Sequence, residues 1–215
     1  MRLYQFIHSV KNHLATMSLL IKMIEPGLKE TPYQRHLSLL RNEVSHIQEM
    51  ICSLVSPERA ELAVFSDILK ELCEEFAPRM EVSHVRVLME LEEDVPPVAC
   101  NPSAISDAFA NVWGNALDAM ANGGTLWIRL YRDPTACAVK VSFTDTGPGI
   151  PGDIISSVSS PFFTTKPGGL GLGLTIAEAV AKAHGGSMDI LSGPDGTTVT
   201  FTFPQRPSQE KLVSS

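Results

Sequence analysis

Positive charge is the first shortage. Lysine and arginine number 17 against 24 aspartates and glutamates, a formal net charge of −7 over 215 residues. Such a surface is a poor partner for polyanions, which argues against non-specific nucleic-acid binding and against anionic membranes. A local anion site remains possible, because backbone dipoles and a metal ion can outweigh an adverse overall charge. Long apolar runs are also lacking. None approaches the roughly 20 residues needed to span a bilayer, and the N-terminus has no signal-peptide pattern, so no membrane contact within the chain and a cytoplasmic location are expected. The four cysteines, Cys52, Cys73, Cys100 and Cys137, form no CxxC pair. They read as reduced, buried thiols rather than zinc ligands or disulfides. There is no internal repeat, and the only biased tract is the polar tail after Pro204. What the chain does have is 44% hydrophobic residues, enough to bury a real core.

Residues 1–57 predict a helical hairpin. Leu3, Val10, Met17 and Ile24 recur every seven residues, with Phe6 and Leu20 on the adjoining seam. Pro26, Gly27 and Pro32 then break the helix. Leu37, Leu40, Val44, Ile47, Ile51 and Leu54 alternate by three and four, a second heptad seam. Two such stripes exceed what one hairpin can bury. The expectation is a homodimer whose two hairpins make a four-helix bundle.

Residues 62–204 interleave helices and strands, so the whole chain is expected to be α+β. A helix is predicted over "SDILKELCEEFAPRM" with Ser66 as its cap, and another over "NPSAISDAFANVWGNALDAM" capped by Asn101 or Ser103. "VRVLMELEE" alternates like a half-buried strand, "TLWIRLYRD" and "AVKVSFTDT" predict an antiparallel pair, and "GTTVTFTFP" a closing strand. A long glycine- and serine-rich loop, residues 147–169, precedes a helix over about residues 172–183, which stops at His184-Gly185-Gly186. His184 there reads as a C-terminal cap, partly cationic. A loop of that length in a compact domain is usually functional, often a lid.

Four groups of residues carry chemistry. Asn111 and Asn115, one helical turn apart, share a face. Two amide oxygens there suit a hard cation such as Mg²⁺ when phosphate oxygens complete its shell, although such a pair also occurs as plain helix polarity. Asp145 ends an apolar strand just before Gly147 and Gly149. It can accept a hydrogen bond from an exocyclic amine such as adenine's while the glycines allow close backbone approach; the alternative is a simple strand-to-loop turn. "GGLGLGL" opens a helix, and its free N–H groups with the helix dipole make a phosphate cradle. It is neither a Walker P-loop nor a Rossmann GxGxxG. Phe162 and Phe163 are placed to anchor the loop, and Thr164, Thr165 and Lys166 to meet phosphate oxygens.

In order and separation, Asn-x-x-x-Asn, Asp-x-Gly-x-Gly, Phe-Phe-Thr-Thr-Lys, Gly-Leu-Gly-Leu-Gly-Leu and a Gly-Thr strand resemble the ATP-binding domain of sensor histidine kinases, within the wider group of gyrase and mismatch-repair ATPases. The resemblance runs from about Leu62 to Pro204. It implies an α/β sandwich with a mixed sheet covered on one face by helices and a glycine-rich lid. It implies ATP and Mg²⁺ as cofactors, with Asn115 on the metal, Asn111 near the phosphates and Asp145 on adenine. Gly147, Gly149, Thr165, Lys166, Gly169, Gly171, Gly173 and Leu174 would surround the nucleotide, and Thr197 would assist adenine recognition through water. Hydrolysing members carry a glutamate where this chain has Asn111. An amide cannot act as a base near neutral pH, so phosphoryl transfer is favoured over hydrolysis.

"FIHSVKNHL" resembles the phosphoacceptor box of the same kinases, with His8 as acceptor and Asn12 four positions on. His8 lies off the heptad seam, so its imidazole is expected to be exposed. Two departures stand out: Ser9 replaces the usual acidic residue, and His13 replaces the usual proline. The expectation is weak autokinase activity or a base supplied elsewhere, with His13 a candidate. The resemblance implies a response regulator as partner, autophosphorylation followed by phosphotransfer to its aspartate, and a phosphatase option through Asn12. Val55 to Arg59 would be the hinge between the units. The competing expectations are a phosphotransfer or docking protein with an inactive kinase domain, and an anti-sigma-type serine kinase. Only seven residues precede His8, so the chain is expected to be either the core of a longer protein or to receive its signal through a partner.

Overall fold

The computed structural model describes residues 61–160, 163–164, 171 and 173–205, together with Met17 and Ile21 on a helical segment. The rest of the expected hairpin, the hinge at 55–59 and the tail from 206 onward lie outside the described residues.

The chain opens with a short strand β1 (Glu61–Ala63) and helix α1 (Phe65–Ser83). It continues through β2 (Val85–Leu91) and β3 (Val98–Cys100) to helix α2 (Pro102–Ala119). Strands β4 (Gly124–Asp133) and β5 (Ala138–Asp145) follow, then a loop with a 3-10 turn at Ile155–Ser157. Helix α3 (Gly173–Ala183) leads into β6 (Ser187–Gly193) and β7 (Gly196–Pro204). Five strands make one sheet in the order β2-β4-β5-β7-β6. β2 runs parallel to β4 and every other pairing in it is antiparallel, so the sheet is mixed, as expected. β1 and β3 pair separately.

Strand alternation explains the layering. Leu126, Ile128 and Leu130 on β4, Val139, Val141 and Phe143 on β5, and Val199, Phe201 and Phe203 on β7 all point to one buried face. The register places Ile128 beside Phe143 and Phe143 beside Val199, so the apolar rows are continuous across the sheet. Helices α1 to α3 cover that face. Helix α2 contributes Ile105, Ala108, Phe109, Val112 and Trp113, all at helical spacing and all buried. Phe109 meets the rings of Phe65, Phe143 and Phe201 at centroid distances of 5.5, 5.7 and 5.1 Å, mostly edge-on, which clamps α1, α2 and the sheet together. Trp113 stacks on Phe76 of α1 at 5.6 Å.

Several local expectations change. Ser66 is not a cap: the helix begins one residue earlier, the N-cap position is Val64, and no side chain caps it. Packing of the fully buried Phe65 holds that end instead. At α2 the cap is Asn101, whose side chain accepts from the Ala104 N–H at 3.3 Å, while Ser103 lies within the helix. Of the described cysteines only Cys100 is fully buried, Cys73 is half-buried, and Cys137 is exposed in a turn at φ 46°. All three are free thiols. Burial pushes the Cys100 thiol up to about 11, which keeps it protonated and inert. No helix among the described residues is long and apolar enough to cross a membrane.

Candidate nucleotide-binding site

Asp145 occupies the next inward position after Val139, Val141 and Phe143, so the strand itself drives a carboxylate into the edge of the core. It is only 8% exposed. Two backbone donors meet it there: Gly147 N–H reaches Oδ1 at 2.8 Å and Thr197 N–H reaches the same oxygen at 3.2 Å. Among the described residues Oδ2 accepts no hydrogen bond, which leaves one oxygen for a ligand N–H. Burial pushes the Asp145 carboxyl above its ordinary value, and the two backbone bonds pull it only partly back.

The turn after Asp145 is seated on the β6–β7 hairpin at two points where no side chain fits. Gly149 has φ 72°, and a Cβ on it would fall 1.7 Å from the Gly193 carbonyl oxygen. Gly196 has φ 139°, and a Cβ there would fall 1.9 Å from the Asp145 carbonyl oxygen. Ser192 completes the joint by accepting the Ile150 N–H at 2.7 Å. Gly149 of the turn and Gly196 of β7 thus let the turn seat closely on the β6–β7 hairpin, where Thr197 meets Asp145.

On α2, Asn111 and Asn115 lie half-buried on one face, as their spacing requires. Gly173, the first residue of α3, sits over both: a Cβ on it would be 3.5 Å from Asn111 Oδ1 and 3.6 Å from Asn115 Nδ2. Leu174 packs on the core behind that contact, and Gly171 just before it adopts φ 66°. Thr175 ties the start of α3 to the loop by donating to the Ser159 carbonyl at 2.9 Å. The other end of α3 is fixed by His184. This ring is 5% exposed. Its Nε2 lies 3.1 Å from the Asn101 N–H and its Nδ1 lies 2.8 Å from the Val180 carbonyl. An N–H can only donate and a carbonyl can only accept, so Nε2 is the acceptor and Nδ1 carries the proton. His184 is thus the expected C-terminal cap of α3, and the same ring also braces α3 against the N-terminus of α2.

The structure thus brings Gly173 against Asn111 and Asn115, followed by Leu174, and, separately, Asp145 together with Gly147 and Thr197, with Gly149 in the same turn. Thr165, Lys166 and Gly169 of the loop, and His8 and Asn12 of the hairpin, lie outside the described residues. Two contributors escaped the sequence reading, Ser192 and the bracing role of His184. Ser192 could have been found only by recognising β6 and its register, which puts it opposite Thr197. Among the described residues no group of three or more His, Cys, Asp or Glu side chains could hold a metal. The amide face of α2 fits a hard cation that takes most of its oxygens from phosphate.

Residues 100–207, half of the chain, match the family model described as histidine kinase-, DNA gyrase B-, and HSP90-like ATPase, and the chain belongs to that family. Its relatives narrow the branch: the chain carries the ATP-binding catalytic core of the histidine kinases. It is 29% identical over 204 residues to sporulation kinase D of Bacillus subtilis (strain 168), covering 92% of this chain and 40% of that protein. It is 25% identical over 212 residues to the signal transduction histidine-protein kinase AtoS of Escherichia coli (strain K12), covering 96% of this chain and 35% of that one. The chain therefore spans less than half the length of these relatives. Among solved structures, the catalytic domain of histidine kinase ThkA in a nucleotide-free form superposes with TM-score 0.62 at 26% identity, over 68% of this chain and 95% of that one. ThkA in complex with the response regulator protein TrrA matches with TM-score 0.61 at 20% identity, over 95% of this chain and 62% of that one, a likeness of fold alone.

Proposed function

We propose that this chain is a histidine protein kinase of a two-component system, which phosphorylates itself on His8 from Mg·ATP and passes the phosphoryl group to an aspartate of a response regulator. The observation that carries the nucleotide half is the Asp145 carboxylate, with one oxygen pinned by two backbone N–H groups and the other left for adenine's amine. Asn111 in place of a hydrolytic glutamate favours transfer over hydrolysis.

In this reading Asn115 holds Mg²⁺ through its amide oxygen, Asn111 lies along the phosphates, and the α3 N-terminus with Gly169, Gly171, Gly173, Leu174, Thr165 and Lys166 surrounds them. The bound metal supplies charge stabilisation at the transferring phosphoryl. Thr197 supports Asp145 at the base. An imidazole nitrogen of His8 attacks the γ-phosphorus, an N–P bond forms, the bond to the bridging oxygen breaks, and ADP leaves. The imidazole then gives up its remaining ring proton to a base. Ser9 cannot take it, and His13 is the nearest candidate in sequence. The product is a phosphoramidate, energetic enough to pass its phosphoryl to a carboxylate.

The same reading assigns residues 1–57 to a dimerising phosphotransfer hairpin, 62–204 to the catalytic domain and 205–215 to a polar tail, in a cytoplasmic homodimer. Met17, assigned to the heptad seam, is 52% exposed in the single chain, as a residue covered only by a second copy would be. Asn12 occupies the position from which regulator phosphatase activity would be directed. Ser9 supports a second reading, a phosphotransfer protein with a feeble kinase domain.

The test is incubation with Mg²⁺ and γ-labelled ATP. Acid-labile label that disappears in both His8→Ala and Asn115→Ala supports the proposal. Label retained in His8→Ala moves the acceptor elsewhere, acid-stable label points to a serine kinase, and nucleotide binding without labelling points to the phosphotransfer reading.

A further inference from the structure

Helix α3 meets α2 at both of its ends. At the start, Gly173 lies against Asn111 and Asn115, where a Cβ would be 3.5 Å from Asn111 Oδ1 and 3.6 Å from Asn115 Nδ2. Just past the other end, His184 Nε2 accepts the Asn101 N–H at 3.1 Å. Helical spacing traces the stripe that joins these two contacts. On α3 it passes through Ala177 and Ala181, on α2 through Ala108 and Ala104, and all four are buried. Alanine faces let two helices approach closely. A methyl group is too short to interlock with the neighbouring turns, so these faces offer little against sliding along the axis. A directional bond at one end does oppose it.

The turn after His184 is seated on the sheet, since a Cβ on Gly186 would fall 2.4 Å from the Thr202 carbonyl oxygen. This is the anchored end of α3, and the His184 ring ties it to α2. From Gly173 to His184 is about 16 Å of helix at 1.5 Å per residue. A helix transmits an axial slip along its whole length, so a shift at the ring arrives at Gly173. We propose that His184 is a positioning residue for the phosphate side of the site: its bond to Asn101 sets where α3 lies along α2. With that it sets the spacing between the α3 N-terminus and the Asn111 and Asn115 amides, between which the phosphates lie in the reading above. The inference rests on the nucleotide site proposed there and adds a residue that touches no part of the ligand.

The two ring nitrogens can be tested apart, because each has its own partner. Glutamine places an amide oxygen where Nε2 stands, which keeps an acceptor for Asn101 and gives up the bond to the Val180 carbonyl. Asparagine, one carbon shorter, places an amide N–H where Nδ1 stands, which keeps the Val180 bond and gives up Asn101. The experiment titrates the full chain in Mg²⁺ with ADP and with adenosine, which has the same base and sugar and no phosphate. His184→Asn is expected to lower the ADP-to-adenosine affinity ratio about three- to tenfold, the net worth of one hydrogen bond, with adenosine binding unchanged. His184→Gln is expected to keep the wild-type ratio. A ring that matters only as a cap gives the opposite order, and one that matters only for folding weakens both ligands equally or neither. Any of these results overturns the proposal. Should one variant fail to fold, the other decides by the same criterion. Wild type that binds neither ligand overturns the nucleotide site and this inference together, whereas wild type that binds ADP with a ratio indifferent to His184→Asn overturns only this one.

Discussion

Asn101 and His184, 83 residues apart, meet through a 3.1 Å hydrogen bond from the backbone of one to the ring of the other. Asn101 at the same time caps α2 with its side chain. The residue that starts the asparagine-bearing helix is thus held by the residue that ends the phosphate-side helix. His184→Ala strands a part-buried N–H and empties the buried ring's space, and the expected loss of folding stability is about 1 kcal/mol or more. Urea denaturation checks it, and a loss below about 0.5 kcal/mol would mean the brace is not a brace.

How much of this was legible in the sequence depended on the range of the contact. Helix α2 could be read because its cap and its apolar spacing both lie within one segment. The β4–β5 pair announced itself by alternation and proximity. β6 did not, since "SMDILSG" is short and bounded by serines, and β1 and β3 are three residues each and exist only through each other. His184 was legible as a cap, since the Val180 carbonyl it meets lies one turn back, but nothing near it in sequence reveals that the N-terminus of α2 will lie against its ring. Asp145 was legible as a carboxylate at the end of an apolar strand, but its partner donor, Thr197 N–H, is 52 residues away.

Asp145→Asn separates charge from shape. The amide keeps an oxygen for Gly147 and Thr197 but turns an NH₂ toward the ligand, so ADP affinity is expected to fall about 10- to 100-fold, the worth of a hydrogen bond to a charged group. Titration calorimetry reads it directly, and unchanged affinity would remove Asp145 from the base site.

Folding stability should move the other way. The Asp145 carboxyl is raised by burial, so the native state holds its proton more tightly than the unfolded chain does. Between the ordinary value near 3.8 and the raised one the native state binds more protons, and its stability falls as pH rises through that window. Above the window wild type carries the full cost of a buried charge, and Asp145→Asn does not. The variant is expected to match or exceed wild-type stability near neutral pH, with the difference shrinking on acidification through the window. Thermal melts across that pH range test the sign.

Gly149 and Gly152 stand three residues apart in the same loop and should differ sharply. A Cβ at Gly149 would strike the Gly193 carbonyl at 1.7 Å from a left-handed backbone, whereas at Gly152 it would meet nothing within 4 Å. Gly149→Ala is expected to cost more than the roughly 1–2 kcal/mol of left-handed strain, because the acidic turn must also lift off the hairpin, and ADP binding should fall with it. Gly152→Ala should leave both unchanged. Equal behaviour of the two would mean that the turn does not rest on β6–β7.

Ser9 provides the test of the transfer step. A neutral imidazole that has gained a phosphoryl group on its unprotonated nitrogen must shed its one ring N–H proton, or the N–P bond reverts. A carboxylate placed next to the acceptor can take that proton, and a serine hydroxyl cannot. A well-placed general base is worth about 10²–10⁴-fold in rate. If proton removal limits this chain, Ser9→Glu should raise the rate of acid-labile labelling by about tenfold or more while leaving ADP affinity unchanged, since the nucleotide site is not touched. A His13→Ala variant divides the remaining possibilities. Loss of labelling in the Ser9 background, rescued by Ser9→Glu, would identify His13 as the base now in use. Labelling that ignores both changes would show that the proton leaves to water, and that the departure at Ser9 costs the chain nothing.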